Sequence, residues 1–572
     1  MLFVLLTLPI ILFTLGLLLT GNKLAPGDGD YLTQTYEAMR LSILKYHQFP
    51  WWNPWISGGV PLFANPQFGL FSIATPLVLI FGAPFGIKLT LVSYFIIGFW
   101  GFRILFIKFF KTPTITATLL AYIWTFGSFL TQRSSGHYTF LLIQLFPWAL
   151  YYFLTRKTDG KAWLKFGLII SLMANSAAHY MTILSYLVIG LLFILESIRL
   201  IGNKKQGSLT IKLIANKTDL IFWLKAGGLF FMLSFYRLFF TFQYLSDYPR
   251  LTINPETTIG PLKGLFAMFG PFRQFGPNTP SMPLWGWLEA SAYIGFCTGI
   301  VALIVGWLYF KNRHSHNKLF SYSPLIILSL VIIFFILGLG DILGKYSPFL
   351  LLKQFPILSS MRVATRWFAW SSVFILIFIS TYKGAKYRSA INILLLLSVI
   401  ELFVYSRPHI SKPYVLETND YSQKNAIIEQ RRHYNDKRQS IPYDENLTEA
   451  TRQNYGQIIA GDSLIDTRFP PPFGVNTMRC SIDEGCPINL SNNATITYWS
   501  PNRIIIKRSD SKPIELNMNP GSCWTLNGQY QFLKSKVTEP NSRFIINDSS
   551  SNIIIECRPR FSVDWLANKI FN

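Results

Sequence analysis

Carboxylates are the residues best suited to chemistry in the first 405 residues, because that stretch holds only 11 aspartates and glutamates. Three of them, Asp28, Asp30 and Glu37, fall within the segment PGDGDYLTQTYE. A carboxylate near a low-dielectric boundary has a raised pKa and can serve as a general base. Asp28 and Asp30 could also hold a divalent cation such as Mg²⁺ or Mn²⁺. The alternative without chemistry is a solvated turn in which Asp30 caps a helix.

Cationic and imidazole side chains near the ends of apolar segments form a second group, suited to binding phosphate. Arg362 and Arg366 are four residues apart, so a helical turn would place both on one face, and each guanidinium can bind two phosphate oxygens. Arg237 lies inside an apolar segment, where it either contacts phosphate or forms a structural ion pair. His137 and His179 lie at the outer ends of predicted spans. The ordinary alternatives are contact with lipid headgroups for the first two arginines and a satisfied polar group for each histidine.

A tryptophan cluster follows the acidic segment. Trp51, Trp52 and Trp55 lie in FPWWNPW, and their spacing favours an aromatic belt at the membrane interface over stacking on a sugar. Asn53, in the middle of the cluster, is a candidate for contact with a sugar acceptor.

Composition indicates what must position these residues. Hydrophobic residues make up 51% of the 572 residues and charged residues 14%, whereas a soluble chain is about 25% charged. This excludes a soluble globule, a disordered chain and a coiled coil, and it predicts a polytopic α-helical membrane protein. About eleven apolar segments approach the ~20 residues that a transmembrane helix needs. They lie near 2–20, 87–107, 113–130, 139–155, 163–178, 180–198, 220–244, 291–310, 324–340, 367–381 and 389–405.

The basic residues predict the orientation of these spans. Residues 1–405 hold 32 of the 52 Lys and Arg residues, and 18 of those 32 fall in alternate short loops, which are therefore predicted to be cytoplasmic. The net charge of +24 thus sits mainly between spans, so nucleic-acid binding is excluded. The N-terminus is predicted to be cytoplasmic and the C-terminal region extracytoplasmic.

Two domains are predicted. Residues 1–405 form the membrane domain, with long outer loops at 21–86 and 245–290, and residues 406–572 form an extracytoplasmic domain of mixed character. In the first loop Tyr36, Met39, Ile43 and Tyr46 recur at three- and four-residue steps, which predicts a short amphipathic helix on the membrane surface. In the tail, the alternating segments NATITYW, NRIIIKR, SRFIIND and NIIIECR predict a β-sandwich-like module after residue 490.

Cysteine usage agrees with an exported tail. Cys480, Cys486, Cys523 and Cys557 all lie there, and an even number in an exported domain favours two disulfides. Pairing by proximity joins Cys480 to Cys486 and Cys523 to Cys557. Four cysteines allow three connectivities, and four free buried thiols are the alternative.

Several segments resemble one family. In the first outer loop, Asp30 is followed by Gln34 four residues on, then by P-W-x-N-P, a Gly-Gly pair and N-P-Q. This block resembles the first outer loop of YfhO-like bacterial membrane proteins, which belong with the GT-C glycosyltransferases. PILSSMRVATRW resembles the family's outer R-x-P-x-R segment, and ELNMNPGSCWTLNGQ resembles its C-terminal β-module. The chain departs from the pattern at Ala364, where the family has proline, and at Cys523, which separates Gly-Ser from Trp524.

The resemblance implies a GT-C-like fold and an inverting glycosyltransferase of the inner (cytoplasmic) cell membrane. Such an enzyme takes a sugar from a polyprenyl-phosphate donor and transfers it to an extracytoplasmic glycan, glycopolymer or lipid. Asp30 would then be the catalytic base, with Asp28 as the alternative. The donor phosphate would contact some of Arg362, Arg366, Arg237, His137 and His179, and the acceptor some of Gln34, Trp52 and Asn53. A synthase for the donor and a flippase would be functional partners, and membrane lipids would surround the chain.

Other functions are weighed against this one. The sequence has no P-loop, dinucleotide fingerprint, HExxH or nucleophile elbow, which disfavours a nucleotide-powered pump. A polymerase or ligase using a diphosphate-linked oligosaccharide would need more cations around its larger leaving group. A transporter or flippase for a lipid-linked sugar usually has paired repeats, and no internal repeat is found. A scaffold whose β-rich tail recruits a partner is the remaining alternative.

Overall fold

The computed structural model describes most of the chain. The described residues are 2–26, 28–56, 59–177, 180–203, 208–213, 217–247, 259–270, 290–311, 324–355, 358–359, 361, 363–417, 428–431, 447–453, 457–460, 488, 490, 493–516, 518, 523–528 and 544–559. They divide into two compact units. The first comprises Met1–Thr20, Thr90–Phe235 and Arg250–Pro413, and the second comprises Gly21–Leu89, Tyr236–Pro249 and Tyr414–Asn572. The predicted first outer loop and the predicted tail thus fall in the same unit.

Helices dominate the described residues. They are α1 Leu2–Leu19, α2 Asp28–Leu44, α3 Ala74–Phe81, α4 Ala83–Ile104, α5 Thr114–Phe126, α6 Ser128–Arg133, α7 Phe146–Leu154, α8 Ala162–Ser176, α9 Tyr180–Ser197, α10 Lys217–Asp247, α11 Pro261–Phe269, α12 Phe296–Lys311, α13 Pro324–Gly338, α14 Pro348–Lys353, α15 Trp367–Ser380, α16 Arg388–Ser411 and α17 Leu447–Arg452. One π-helical turn, Leu105–Phe109, extends α4, and 3₁₀ turns lie at Tyr138–Leu145, Gly344–Tyr346 and Ala364–Arg366.

Strands are short and concentrate near the C-terminus. They are β1 Trp52–Asn53, β2 Val60–Pro61, β3 Ile198–Asn203, β4 Ser208–Leu213, β5 Ile428–Arg431, β6 Gln457–Ala460, β7 Ala494–Ser500, β8 Arg503–Arg508, β9 Ile514–Leu516, β10 Trp524–Leu526, β11 Phe544–Ile546 and β12 Asn552–Cys557.

Apolar helices identify the chain as a membrane protein. Among the described residues, six helices are long and apolar enough to cross a bilayer: Leu2–Leu19, Ala83–Phe109, Thr114–Arg133, Tyr180–Ser197, Lys217–Leu245 and Arg388–Ser411. Five shorter apolar helices are Tyr138–Leu154, Ala162–Ser176, Phe296–Lys311, Pro324–Gly338 and Ala364–Ser380. Each of these eleven helices coincides with one predicted span. That the five shorter ones also cross the membrane stays a prediction, as does the orientation.

The first unit is built around α15. All of its residues are buried, which explains why the segment is apolar on every side. On α13, Phe334 stacks on Trp367 with 5.5 Å between ring centroids, and the Phe374 ring lies at the same distance. Burying such rings stabilises the pairing of the two helices.

Three charged side chains near the ends of helices in the first unit form an ion-pair network. At the start of α10, Asp219 accepts a hydrogen bond of 2.8 Å from Arg156 Nε, and Glu196 at the end of α9 lies 2.7 Å from Nη2 of the same arginine. This network joins the ends of α7, α9 and α10. Removing one of its members would leave a buried charge without a partner, which is costly. Glu401 on α16 accepts bonds from the Tyr293 hydroxyl and from Phe296 N at the start of α12.

The tail in the second unit forms a β-module. β10, β12, β8 and β7 make a four-stranded antiparallel sheet in that order, and β9 pairs with β11. Ile553 lies opposite Ile506, and Ile555 opposite Ile504, and all four side chains are buried, as strict alternation requires. The predicted strands are therefore present. The described strands form this sheet and separate pairs, whereas the prediction was a two-sheet sandwich.

A disulfide joins Cys523, immediately before β10, to Cys557 at the end of β12. This is one of the two bonds that proximity predicts. Cys480 and Cys486 lie outside the described residues, so their pairing stays a prediction. Cys297, on α12, is a free thiol.

Candidate active site

The acidic segment forms the start of α2. This helix begins at Asp28, so Asp30 lies inside its first turn and does not cap it, contrary to the simplest alternative from sequence. Tyr36 and Met39 of the predicted apolar face are buried, but so are the polar residues Asp30, Thr33, Gln34, Thr35 and Glu37. The helix therefore lies within the second unit and does not rest on a membrane surface through one apolar face.

Asp30 is fully buried and hydrogen-bonded on both carboxylate oxygens. Oδ2 accepts from Leu447 N at 2.5 Å, and Oδ1 accepts from Thr448 N at 3.0 Å and from Thr448 Oγ1 at 2.6 Å. Desolvation by burial raises the pKa of Asp30 from 3.8 to about 6, although the three hydrogen bonds act in the opposite direction. A carboxylate has about four lone-pair sites, so Oδ2 keeps capacity for one further donor.

Asp28 has a different environment, because its side chain is only partly buried in the same helical turn. No group of three or more His, Cys, Asp or Glu side chains that could hold a metal ion exists among the described residues. A divalent cation bound by the pair Asp28 and Asp30 stays a prediction.

Gln34 lies one helical turn beyond Asp30 on α2 and contacts Asn53 on β1. Asn53 Nδ2 donates to Gln34 Oε1 at 3.1 Å, and Gln34 Nε2 donates to Thr451 Oγ1 at 2.8 Å. Asn53 Oδ1 also accepts from Trp55 N at 3.2 Å. The structure thus brings together two of the three predicted acceptor residues, although α17 fills the space beside them.

Glu37 completes the polar face of α2. Its Oε1 atom lies 3.2 Å from Arg40 Nη1 and 3.4 Å from Arg452 Nε, and Oε2 accepts from Ala83 N at 3.3 Å. Two guanidiniums and the start of α4 balance this buried carboxylate, since a helix N-terminus carries partial positive charge. Glu37 is therefore engaged as a structural anion.

The tryptophan cluster is internal, which contradicts the predicted interfacial belt. Trp52 and Trp55 are completely buried, and Trp51 is nearly so. The Trp52 ring meets the Trp524 ring edge to face at 5.3 Å, and Trp55 meets Trp499 at 5.9 Å. These contacts join the first outer loop to the β-module within the second unit. Trp52 Nε1 has no hydrogen-bond partner among the described residues.

Arg237 has a different role from both of its predicted ones. It is buried, and its guanidinium donates to the backbone carbonyls of Phe63, Asn65 and Phe68. The Phe63 ring also lies 5.3 Å from the guanidinium carbon. These contacts are with the protein's own loop and not with a carboxylate partner. A single guanidinium thus hydrogen-bonds three backbone carbonyls of one irregular loop. These bonds offset the free-energy cost of burying the charge of Arg237.

The first unit contains two arginines and a histidine around one aromatic ring. The Phe140 ring centroid lies 4.7 Å from the Arg366 guanidinium, 5.3 Å from that of Arg133 and 5.2 Å from the His137 ring. Arg366 also lies over the Tyr180 ring at 4.9 Å. The structure therefore brings two predicted phosphate ligands together. Arg362 and His179 lie outside the described residues.

Sequence reasoning missed four residues of these sites. Thr448, Thr451 and Arg452 lie in a tail segment with no recognisable motif, more than 400 residues from their partners on α2. Arg133 gave a weak signal, as a basic residue four positions before His137 at the end of an apolar segment.

Two solved structures resemble the chain. One is the cryo-EM structure of the arabinofuranosyltransferase AftD from mycobacteria, with 13% identity and a TM-score of 0.44, over 72% of this chain and 27% of AftD. The other is the crystal structure of ArnT from Cupriavidus metallidurans bound to undecaprenyl phosphate, with 10% identity and a TM-score of 0.43, over 81% of this chain and 86% of ArnT.

No family model and no curated protein matches the chain. The resemblance to YfhO-like proteins therefore stays a prediction. Scores below 0.5 at this identity do not establish a shared fold, so the roles of Asp30 and its neighbours must come from the chain's own geometry.

Proposed function

We propose that the chain is an integral-membrane, inverting glycosyltransferase. It moves a sugar from a polyprenyl-phosphate donor to an extracytoplasmic glycan, glycopolymer or lipid, with Asp30 as the general base. The observation that carries the proposal is a buried carboxylate with a pKa of about 6, on the helix that follows the first apolar span. A base is most effective when its pKa lies near the working pH.

The reaction balances as a single displacement. The acceptor hydroxyl oxygen attacks the anomeric carbon while its proton passes to the buried carboxylate of Asp30. The bond between the anomeric carbon and the phosphate oxygen breaks, and its electron pair leaves with the polyprenyl phosphate. One displacement at one carbon inverts its configuration.

The leaving phosphate needs positive charge. Within the first unit, Arg366 and Arg133 surround the Phe140 ring together with His137, and we propose this group as a phosphate-binding cluster. An arginine fork matches two phosphate oxygens and stays charged through the reaction. Arg237 is withdrawn from this set because the carbonyls of its own loop occupy its guanidinium.

Purified protein in lipid vesicles tests the proposal. Vesicles would receive a radiolabelled polyprenyl-phosphate hexose, and membranes from cells lacking the chain would supply the acceptor. Wild type and Asp28→Asn should transfer label, and Asp30→Asn should be slower by about 10²–10⁴-fold, the usual contribution of a general base. Equal rates for Asp30→Asn and wild type would refute the assignment. A matched diphosphate-linked donor tests the polymerase or ligase alternative in the same assay.

Transport of a lipid-linked sugar is the alternative from another class. A transporter would need a polar centre within its spans, and Glu401 is the only acid predicted well inside one. Glu401 accepts two hydrogen bonds, from Tyr293 and Phe296, which gives it a structural role. Scrambling of the donor lipid by Asp30→Asn vesicles that transfer no sugar would favour transport.

A further inference from the structure

One short helix covers the polar face of α2. Residues 30, 34 and 37 lie four and three positions apart, so their side chains share one face of that helix. Their α17 partners follow in the same order along the chain. Asp30 binds the start of α17, Gln34 binds Thr451, its fifth residue, and Glu37 meets Arg452 at its end.

The contacts with α2 stabilise α17 and hold it in position. It has only six residues, and an isolated helix of that length is not stable in water. Its first two backbone N–H groups are bound by the Asp30 carboxylate, so α2 caps the N-terminus of α17. Leu447, Thr448 and Thr451 are almost completely buried.

The position of one hydroxyl on α17 is chemically specific. Thr448 Oγ1 donates to Oδ1 of Asp30 at 2.6 Å, as the acceptor hydroxyl must donate to the base at the moment of transfer. Thr451 Oγ1 accepts from Gln34 three residues later. α17 thus presents two hydroxyls to two polar groups of α2, as a sugar would.

We propose that α17 is a removable cover over the acceptor site, and that the Thr448 hydroxyl holds the place of the acceptor hydroxyl. This inference rests on the proposed function for the identity of the incoming group. The acceptor is a hydroxyl-rich molecule that displaces α17, so that its own hydroxyls bind Asp30 and Gln34. Asp30 is completely buried when α17 is seated, so each turnover requires the cover to open.

Cysteine labelling measures the opening without any substrate. Thr448→Cys would be treated with a water-soluble maleimide beside two controls, Ile506→Cys in the core of the β-module and Tyr498→Cys at its surface. Wild-type labelling is subtracted for the native cysteines. We expect Thr448→Cys to react at least tenfold faster than Ile506→Cys and at least tenfold slower than Tyr498→Cys. A rate equal to that of Ile506→Cys would mean that α17 never opens. A rate equal to that of Tyr498→Cys would mean that α17 does not cover Asp30 in solution. Either result overturns the proposal.

Transfer kinetics test the mimicry. Thr448→Val keeps the shape of the side chain and removes its hydroxyl. The acceptor would then displace an α17 that binds Asp30 less tightly. Titration with membranes from cells lacking the chain, at fixed radiolabelled donor, should show an apparent acceptor KM reduced at least threefold with little change in kcat. Thr525→Val, which removes a buried threonine hydroxyl bonded to a backbone carbonyl in the β-module, is the matched control and should leave KM unchanged.

The two experiments separate the two ideas. A raised or unchanged KM for Thr448→Val contradicts the mimicry and makes Thr448 a structural residue. If wild type transfers no sugar from any donor, the proposed function fails, and labelling of Thr448→Cys still decides whether α17 opens.

Discussion

Asp30 and Arg237 show that a charged residue in an unusual sequence position can have either a structural or a chemical role. Asp30 and Arg237 are both ionisable and both completely or almost completely buried. Arg237 is occupied by carbonyls of one loop, whereas Asp30 keeps a raised pKa and spare capacity on one oxygen. Sequence reasoning identified both residues but could not predict their partners, because bonds to backbone atoms leave no signature in residue types.

The raised pKa of Asp30 predicts that activity begins to fall at a higher pH than it would with an ordinary aspartate. A base works only when deprotonated, and burial raises this pKa to about 6. We therefore expect kcat/KM for sugar transfer to be about tenfold lower at pH 5 than at pH 7, because about nine in ten Asp30 carboxylates are protonated at pH 5. Initial rates between pH 4.5 and 8 check this. A profile that stays flat down to pH 5, as an unshifted aspartate would give, contradicts it.

Arg237 should matter for stability and not for donor binding. Arg237→Met leaves three buried loop carbonyls without this donor, and each such loss costs about 1–3 kcal/mol. The midpoint of thermal unfolding in detergent should fall markedly. Arg407→Met, which removes an exposed arginine on α16, is the control and should change it little. A normal midpoint combined with a raised donor KM would return Arg237 to the role of a phosphate ligand.

Elements differ in how far sequence predicts them. The eleven apolar helices and the strands of the β-module were predictable because hydropathy and alternation are local patterns. The environment of α2 was not. Its predicted amphipathic face is real, but the opposite face is covered by α17, whose first residues are 417 positions away from Asp30. Local periodicity cannot indicate a partner at that distance.

The β1 and β2 hairpin depends on one glycine. Gly59 has φ of +95°, and a Cβ atom there would lie 2.2 Å from Nε1 of the buried Trp52. Gly59→Ala should therefore destabilise the protein by more than backbone strain alone, which is about 1–2 kcal/mol. Gly528→Ala isolates that strain, since Gly528 has φ of +75° with no atom within 4 Å of the added carbon. Thermal unfolding of both variants checks the order, and equal midpoints would contradict the packing of Trp52 against Gly59.

The whole molecule combines apolar spans with a unit made from the first outer loop and the tail. Composition predicted the spans, and the two domains were predicted to divide at residue 405. The described contacts instead group Gly21–Leu89 with Tyr414–Asn572. Sequence order could not indicate this grouping, because it depends on packing between distant segments, such as Trp52 against Trp524 and Trp55 against Trp499.

The orientation of the chain is a prediction at this scale. Because 18 of the 32 basic residues before residue 406 fall in alternate short loops, the region after residue 405 should be extracytoplasmic. A phosphatase that works only outside the cytoplasm should be active when fused after residue 405 and inactive when fused after Lys157. The reverse pattern would place Asp30 on the cytoplasmic side and remove the proposed donor.

The central claim is that Asp30 performs a sugar transfer. Mass spectrometry of surface glycans would compare cells carrying wild type, no chain, Asp30→Asn or Asp28→Asn, at equal amounts of folded protein in the membrane. The account predicts that one glycan loses the mass of a single sugar both without the chain and with Asp30→Asn, and keeps it with wild type and Asp28→Asn. A glycan that is lost without the chain but intact with Asp30→Asn would contradict the account.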